Sequence, residues 1–204
     1  PGGQRIASPG NLHIEGDWSH AAFYLAAGAI GRGEIRLTGL DPHSAQGDRA
    51  MVEILRDMGA EIRWEGETLV SRASKLHGLR VDCAQIPDLV PILAVAMAAA
   101  EGESRITGAA RLRIKESDRL SAMAAALTAA GADVSELPDG LIIRGGKRLH
   151  AAKIEGCNDH RIVMAMTMAS EIADGELTIT DAEATAKSAP AFWREFEHLG
   201  GLAR

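Results

Sequence analysis

Three aspartates stand at positions 17, 88 and 159, two equal steps of 71 residues, and each separates a strand-like run from an alanine-rich one. The segments read "LHIEGDWSHAAFYLAAGAI", "LRVDCAQIPDLVPILAVAMAAA" and "AKIEGCNDHRIVMAMTMAS". Equal spacing at one landmark marks an internal repeat, and a repeat restricts the chain to folds in which like units pack side by side. The chain downstream of each aspartate recurs as well. A β-branched strand opening on Gly-Glu comes next: "GEIRLTG" from Gly33, "GESRITG" from Gly102 and "GELTITD" from Gly175. A polar loop then leads to a second, amphipathic helix. Its apolar positions are Met51, Ile54, Leu55 and Met58 in the first unit, Leu120, Met123, Ala124 and Leu127 in the second, and Phe192, Phe196 and Leu199 in the third. The first two of these helices end at Gly59-Ala60 and Gly131-Ala132, as a left-handed C-cap requires. Two short strands close those units, "AEIRWEG" with "TLVSR" and "ADVSEL" with "GLIIRG", the latter pair joined by a Pro-Asp-Gly turn.

The unit is β-α-β-α-β-β, and the third copy stops at Arg204 after its second helix, so its closing hairpin is expected from outside this chain. The first helix of each unit is apolar nearly all round, which predicts a fully buried helix. The expected fold is therefore α/β (α+β): three βαβαββ repeats, helices inside and sheets outside, forming an inside-out α/β barrel. Unit boundaries fall at about 11–80, 81–152 and 153–204, with "PGGQRIASPG", residues 1–10, as a turn-rich linker cut from a longer protein. Asp17, Asp88 and Asp159 are each expected to cap the first helix of their unit, with Pro91 in the first turn after Asp88.

Net charge is −6, with no basic tail and aromatics at only 3%, which argues against nucleic acid and membrane surfaces as partners. No apolar run reaches bilayer-spanning length and no signal peptide is visible. The two cysteines, Cys83 and Cys157, form no CxxC pair, so a reduced, cytoplasmic protein is expected.

Any anion site must then be local, and "RLRIKESDRLSAM" marks one. Arg111, Arg113, Lys115 and Arg119 crowd a helix entrance whose dipole already favours negative charge. In a threefold packing the equivalent helix starts gather on one face. That face brings together Asp17, Ser19, His20, Asp88, Asp159, His160 and Arg161 with Gln46, Asp48 and Arg49, with Lys115, Glu116 and Arg119, and with Lys187 and Ser188. Lys115 and Arg119, four apart, can share a helix face. Lys115, Arg119, Arg161 and Lys187 beside several helix N-termini suit a ligand with several phosphates or carboxylates. A plainer account stays open: KESDR as a solvated entrance with weak ion pairs, NDHR as a cap with surface charges, and the aspartates as caps only. His13, His43, His77, His150 and His198 show no metal spacing, and no P-loop or dinucleotide fingerprint occurs.

Six segments carry a resemblance: "EGDWSHAAFYLAAGAI", "QGD" at 46–48, "IPDLVPILAVAMAAA", "RLRIKESDRLSAMAAALTAAGADV", "NDHRIVMAMTMAS" and "ATAKSAPAFWREF". In this order they resemble the C-terminal half of the 5-enolpyruvylshikimate-3-phosphate synthases (3-phosphoshikimate 1-carboxyvinyltransferases). The resemblance implies one domain of a two-domain enolpyruvyl transferase fold, with the active site in the cleft between the domains. It implies transfer of the enolpyruvyl group of phosphoenolpyruvate to the 5-hydroxyl of shikimate 3-phosphate, releasing phosphate, with no cofactor and no metal, in a monomer that is a glyphosate target. By motif, Asp88 would bind shikimate 3-phosphate and move the hydroxyl proton. Lys115 would contact the same substrate. Arg119, Arg161 and Lys187 would hold phosphoenolpyruvate, and Glu116 and His160 would line the site, Glu116 as a proton carrier.

Two positions depart from the family pattern. Arg111 stands where an asparagine often contacts the shikimate ring, so its contact is only a possibility, and His20 replaces a serine. In the family the other half supplies a phosphoenolpyruvate-binding lysine and arginine, a Ser-Ser-Gln motif and the strands that complete this domain. The missing N-terminal domain is thus an expected partner, and this chain alone is expected not to turn over. The alternatives are UDP-N-acetylglucosamine enolpyruvyl transferase, of the same architecture and donor, and a non-catalytic anion-binding domain of the same fold. RNA 3'-phosphate cyclases share the unit, but the acidic balance argues against them.

Overall fold

A computed structural model describes residues 2–5, 7–8 and 10–204. The first third holds α1 (Trp18–Ile30), β1 (Glu34–Leu37), a 3-10 turn (Gly47–Ala50) running into α2 (Met51–Asp57), β2 (Glu61–Glu65) and β3 (Thr68–Arg72). The second holds β4 (Arg80–Asp82), a 3-10 turn (Pro87–Leu89) running into α3 (Val90–Ala99), β5 (Gly102–Thr107), a further turn (Ala110–Ile114), α4 (Arg119–Ala129), β6 (Asp133–Leu137) and β7 (Gly140–Gly145). The last holds β8 (Leu149–Ile154), α5 (His160–Met168), β9 (Ala173–Ile179), a 3-10 turn (Ala182–Lys187) and α6 (Phe192–His198). Among the described residues no helix is long and apolar enough to cross a membrane.

Strand orders are β1-β3-β2, β4-β5-β7-β6 and β8-β9. β4–β5 and β8–β9 are parallel, and the remaining pairs are antiparallel. The three alanine-rich helices α1, α3 and α5 touch one another. Their side chains are buried on all sides, Ala22, Leu25 and Ala26 of α1 and Ile92 to Met97 of α3 among them. Small side chains let these helices approach closely while burying backbone already paired within each helix. The amphipathic helices α2, α4 and α6 cover this centre with Met51, Leu55, Leu120, Met123, Phe192 and Phe196. Gly59 and Gly131 end α2 and α4 with φ of +100° and +92°, a backbone that L side chains rarely adopt.

Three details differ from expectation. The strand predicted before Asp17 does not form, and Leu12 and Ile14 are 70% and 75% exposed. β4 is tied at both ends, by Gly78 N–H to the Glu101 carbonyl and Cys83 N–H to the Thr107 carbonyl, whereas the first run is tied only near its end, by Gly16 N–H to the Gly39 carbonyl. Leu199 lies beyond α6 and is half exposed. Asp88 is not a cap: the Pro87–Leu89 turn precedes α3, the cap position falls on Leu89, and the Asp88 carboxylate pairs with cations instead. Pro91 does lie in the first turn of α3.

At Gly145 the sheet comes close against the end of central helix α3. A Cβ there would meet the Met97, Ala100 and Ala98 carbonyl oxygens at 2.3, 2.5 and 2.7 Å. Gly145→Ala should destabilise the chain by about 1–3 kcal/mol in a urea titration. Gly33→Ala, with nothing within 4 Å of the new methyl, should change it by no more than about 0.5 kcal/mol.

Candidate active site

Arg119 opens α4 and its side chain is 2% exposed. Burying a guanidinium demands partners for its donors, and three carboxylates supply them. Nε and Nη2 reach Asp159 Oδ2 and Oδ1 at 2.7 and 3.1 Å, and Nη1 reaches Asp88 Oδ1 at 3.0 Å. Glu116 Oε1 stands 3.7 Å from Nη2. Asp159, fully buried, caps α5 by accepting the Arg161 N–H at 2.9 Å and also accepts the Ser117 hydroxyl at 2.9 Å. One arginine, through two ion pairs, therefore binds the starts of α4 and α5 and the turn before α3.

The other expected cations join the same network. Lys115 Nζ lies 3.4 Å from Asp88 Oδ1. Arg161 donates to the Asp88 carbonyl at 3.1 Å and stands 3.4 Å from its carboxylate. Lys187 donates to the Asn158 carbonyl and lies 3.9 Å from Glu116. Cys157 and Asn158, at φ of +54° and +49°, form the left-handed turn that presents this carbonyl, held by Asn158 N–H to Asp181 Oδ2 at 2.9 Å. Glu116 Oε2 also meets His160 Nδ1 at 3.0 Å. Asp88, Lys115, Glu116, Arg119, His160, Arg161 and Lys187 thus form one connected set. Arg111 does not join it: it is exposed on the Ala110–Ile114 turn. Lys115 sits in the loop before α4 rather than on its face, and reaches the site because that loop folds back onto Asp88. Arg113 serves the fold instead, bridging Asp118, the α4 cap, at 2.9 Å and Glu136 at 2.8 Å.

Burial pushes the Asp88 carboxyl up, but Arg161, Lys115 and Arg119 outweigh it and hold it below its ordinary range. Asp159 behaves alike: burial raises it, and the hydrogen bond and charge of Arg119 outweigh that and hold it below its ordinary range. Glu116, Asp159 and His160 place ligand-type atoms within 4.8 Å of one another, but Asp159 is already committed to the Arg119 cation. The sequence reading takes Asp159 only as a cap and assigns nothing to Ser117. The repeated cap position hides the difference between Asp17, which caps α1 alone, and Asp159, which also holds Arg119.

The fold is that of an enolpyruvyl transferase: the chain superimposes on NikO from Streptomyces tendae with a TM-score of 0.74 at 18% identity, covering 95% of this chain and 45% of that one. It superimposes on EPSP synthase from Acinetobacter baumannii with a TM-score of 0.80 at 32% identity, over 97% and 48% of the two chains. The family model for EPSP synthase (3-phosphoshikimate 1-carboxyvinyltransferase) matches residues 1–196. Similar curated proteins are the 3-phosphoshikimate 1-carboxyvinyltransferases of Clostridium novyi, 42% identical over 98% of this chain and 46% of theirs, and of Halobacterium salinarum, 45% identical over 98% and 47%. The chain belongs to the EPSP synthase family. It spans about half the length of the curated relatives it matches.

Removing one side of a buried pair strands the other charge. Asp159→Ala should destabilise the chain by about 3–5 kcal/mol in denaturant titration. The pH dependence has a definite sign. Asp88 and Asp159 are depressed in the folded state, so their contribution is present above the unfolded carboxyl value of about 3.9 and is lost as pH falls through the folded values. Thermal melts should show the midpoint dropping below about pH 4, with a shallower drop in Asp159→Asn.

Proposed function

We propose that this chain is the C-terminal domain of a 3-phosphoshikimate 1-carboxyvinyltransferase, an inside-out barrel of three βαβαββ-type repeats around α1, α3 and α5, of which the second is complete, the first lacks its opening strand and the third its closing hairpin. Residues 1–10 act as the interdomain linker and the units run over about 11–80, 81–152 and 153–204. The whole enzyme transfers the enolpyruvyl group of phosphoenolpyruvate to the 5-hydroxyl of shikimate 3-phosphate and releases phosphate. The observation that carries this reading is the single network joining Asp88, Glu116 and His160 to Lys115, Arg119, Arg161 and Lys187.

Arg161, Arg119 and Lys187 take the phosphate and carboxylate of phosphoenolpyruvate. Guanidinium forks suit both groups and stabilise charge at the tetrahedral stage. Lys115 takes shikimate 3-phosphate, and Arg111, on the exposed turn, is available to the same substrate. Asp88 accepts the proton of the attacking hydroxyl, while Glu116, oriented by His160 at 3.0 Å, delivers a proton to the methylene carbon. As the C–O bond to phosphate breaks, Glu116 takes a proton back from the new methyl group and Asp88 passes its proton to the departing phosphate oxygen.

Four cations face three carboxylates here, a small positive balance against two polyanionic substrates. That shortfall supports a site completed by a second domain. The last sheet supports the same division: β9 ends its two-stranded sheet, and its edge with α5, α6 and residues 200–204 lines a groove of about 750 Å³. We read this groove as the seat of the closing hairpin, supplied by the other domain. The cytoplasm and a monomeric state remain part of the reading.

Phosphate release by the intact protein is the test. It should require both substrates, and UDP-N-acetylglucosamine should not replace shikimate 3-phosphate. Asp88→Asn should lower kcat by about 10²–10⁴-fold, and Arg161→Lys should raise KM for phosphoenolpyruvate. The 204-residue chain alone should release none. Steady turnover by that chain would refute the division of the site, and turnover with the nucleotide sugar would refute the acceptor.

A further inference from the structure

The third unit breaks the repeat at one position. The strands opening on Gly33, Gly102 and Gly175 lead, at the seventh residue, to Gly39, Gly108 and Asp181. All three have positive φ, +80°, +71° and +56°, a backbone that glycine adopts freely and L side chains rarely do. A Cβ on Gly39 would meet nothing within 4 Å, so glycine serves the backbone alone there. An aspartate at the third position is unfavourable for the backbone, and its carboxylate is what sets it apart. That carboxylate does not cap the Ala182–Lys187 turn, although Asp181 stands at the cap position. It accepts instead the Asn158 N–H at 2.9 Å, across 23 residues of chain. Among the described residues, the non-glycine positions with positive φ are Cys157, Asn158 and Asp181, and all three meet at this contact.

We propose that Asp181 is a positioning residue for Lys187: its carboxylate fixes the Asn158 backbone, whose carbonyl holds the Lys187 ammonium beside Glu116. The inference rests on the reading of Lys187 as a phosphoenolpyruvate ligand. The contacts close a ring. Asp181 accepts the Asn158 N–H through its side chain, and its carbonyl accepts the Ala184 N–H at 2.9 Å, starting the turn that ends at Lys187. Lys187 Nζ then donates to the Asn158 carbonyl and stands 3.9 Å from Glu116. A lysine stem is flexible, so an ammonium kept ready at the site needs a fixed acceptor. Asn158 offers one only while residues 157 and 158 stay left-handed, and the β-carbon of Cys157 disfavours that backbone. Two further bonds tie the same loop to the end of β9, Thr180 N–H to the Ile154 carbonyl and Gly156 N–H to Thr180 Oγ1, both at 3.0 Å. Both stop short of Asn158. The Asp181 carboxylate reaches it.

Asp181→Gly gives the third unit the residue of the other two, suits the left-handed backbone and removes only the side chain. Asp181→Asn keeps an oxygen acceptor on a residue that tolerates the same backbone. In the intact protein, hydrogen exchange at the Asn158 amide should quicken by about tenfold or more in Asp181→Gly and stay within about twofold in Asp181→Asn. KM for phosphoenolpyruvate should rise about tenfold in Asp181→Gly and return in Asp181→Asn, with kcat and KM for shikimate 3-phosphate within about twofold throughout. Lys187→Met should raise KM for phosphoenolpyruvate at least as much, and adding Asp181→Gly to it should cost less than about twofold more, since the effect runs through the missing ammonium. Unchanged exchange at Asn158 in Asp181→Gly overturns the anchoring. Faster exchange with an unmoved KM overturns the role in binding. An Asp181→Gly effect that persists in full beside Lys187→Met overturns the route through Lys187. An unmoved KM in Lys187→Met alone overturns instead the reading of Lys187 as a ligand, and exchange at Asn158 still decides the anchoring.

Discussion

The pairing of Arg119 with Asp159 is the constraint that sets the site's geometry. Neither charge reaches water, so each must be satisfied by protein groups in good geometry or cost several kcal/mol. Arg119 begins α4 and Asp159 caps α5, so satisfying them fixes two helix starts against each other. The third arm, Nη1 to Asp88, adds the turn before α3. Units distant in sequence are thereby locked where their polar ends meet, while alanine-rich packing locks their apolar bodies.

The sequence made the body of the fold legible because its signals were local and repeated. Equal aspartate spacing, apolar helices and glycine caps recur, although Asp88 does not cap its helix and the strand before Asp17 does not form. The sequence also predicted Lys115, Arg119, Arg161 and Lys187 on one face, and the structure joins them in one ion-pair network. Charge compensation was less legible. Spacing shows that Lys115 precedes Arg119 by four but not that the intervening loop leaves the helix to meet Asp88. Nor does it separate a cap such as Asp17 from a cap such as Asp159, because that difference lies in a contact across 40 residues. The unformed strand at Leu12 and Ile14 has the same origin: its pattern is that of a strand, but it is held at one end only.

Glycine and alanine serve the same end from the apolar side. Where Gly145 meets the α3 carbonyls, and where a Cβ on Gly28 of α1 would stand 2.9 Å from the Ser71 Cβ, sheet and helix approach more closely than larger residues allow. A chain with only 3% aromatics cannot fill wide gaps, so it removes them. Close packing of α1, α3 and α5 in turn sets how near their polar starts lie, which is what lets a single arginine span three carboxylates.

The pairing also bears on how an anionic substrate would act on the proposed reading. The carboxyl of Asp88 is pulled two ways, upward by burial and downward by Arg161, Lys115 and Arg119. A phosphate or carboxylate that takes Arg161 and Lys115 for itself removes part of the downward pull and leaves the burial. Asp88 then becomes a stronger base at the moment the substrate hydroxyl arrives, and a weaker one when the site empties. Arg119, buried and bound to Asp159, keeps that pairing, so the framework persists while Lys115 and Arg161 exchange partners. A carboxylate held low by cations that the substrate itself recruits needs no separate switch, because binding and activation are one exchange of ion pairs.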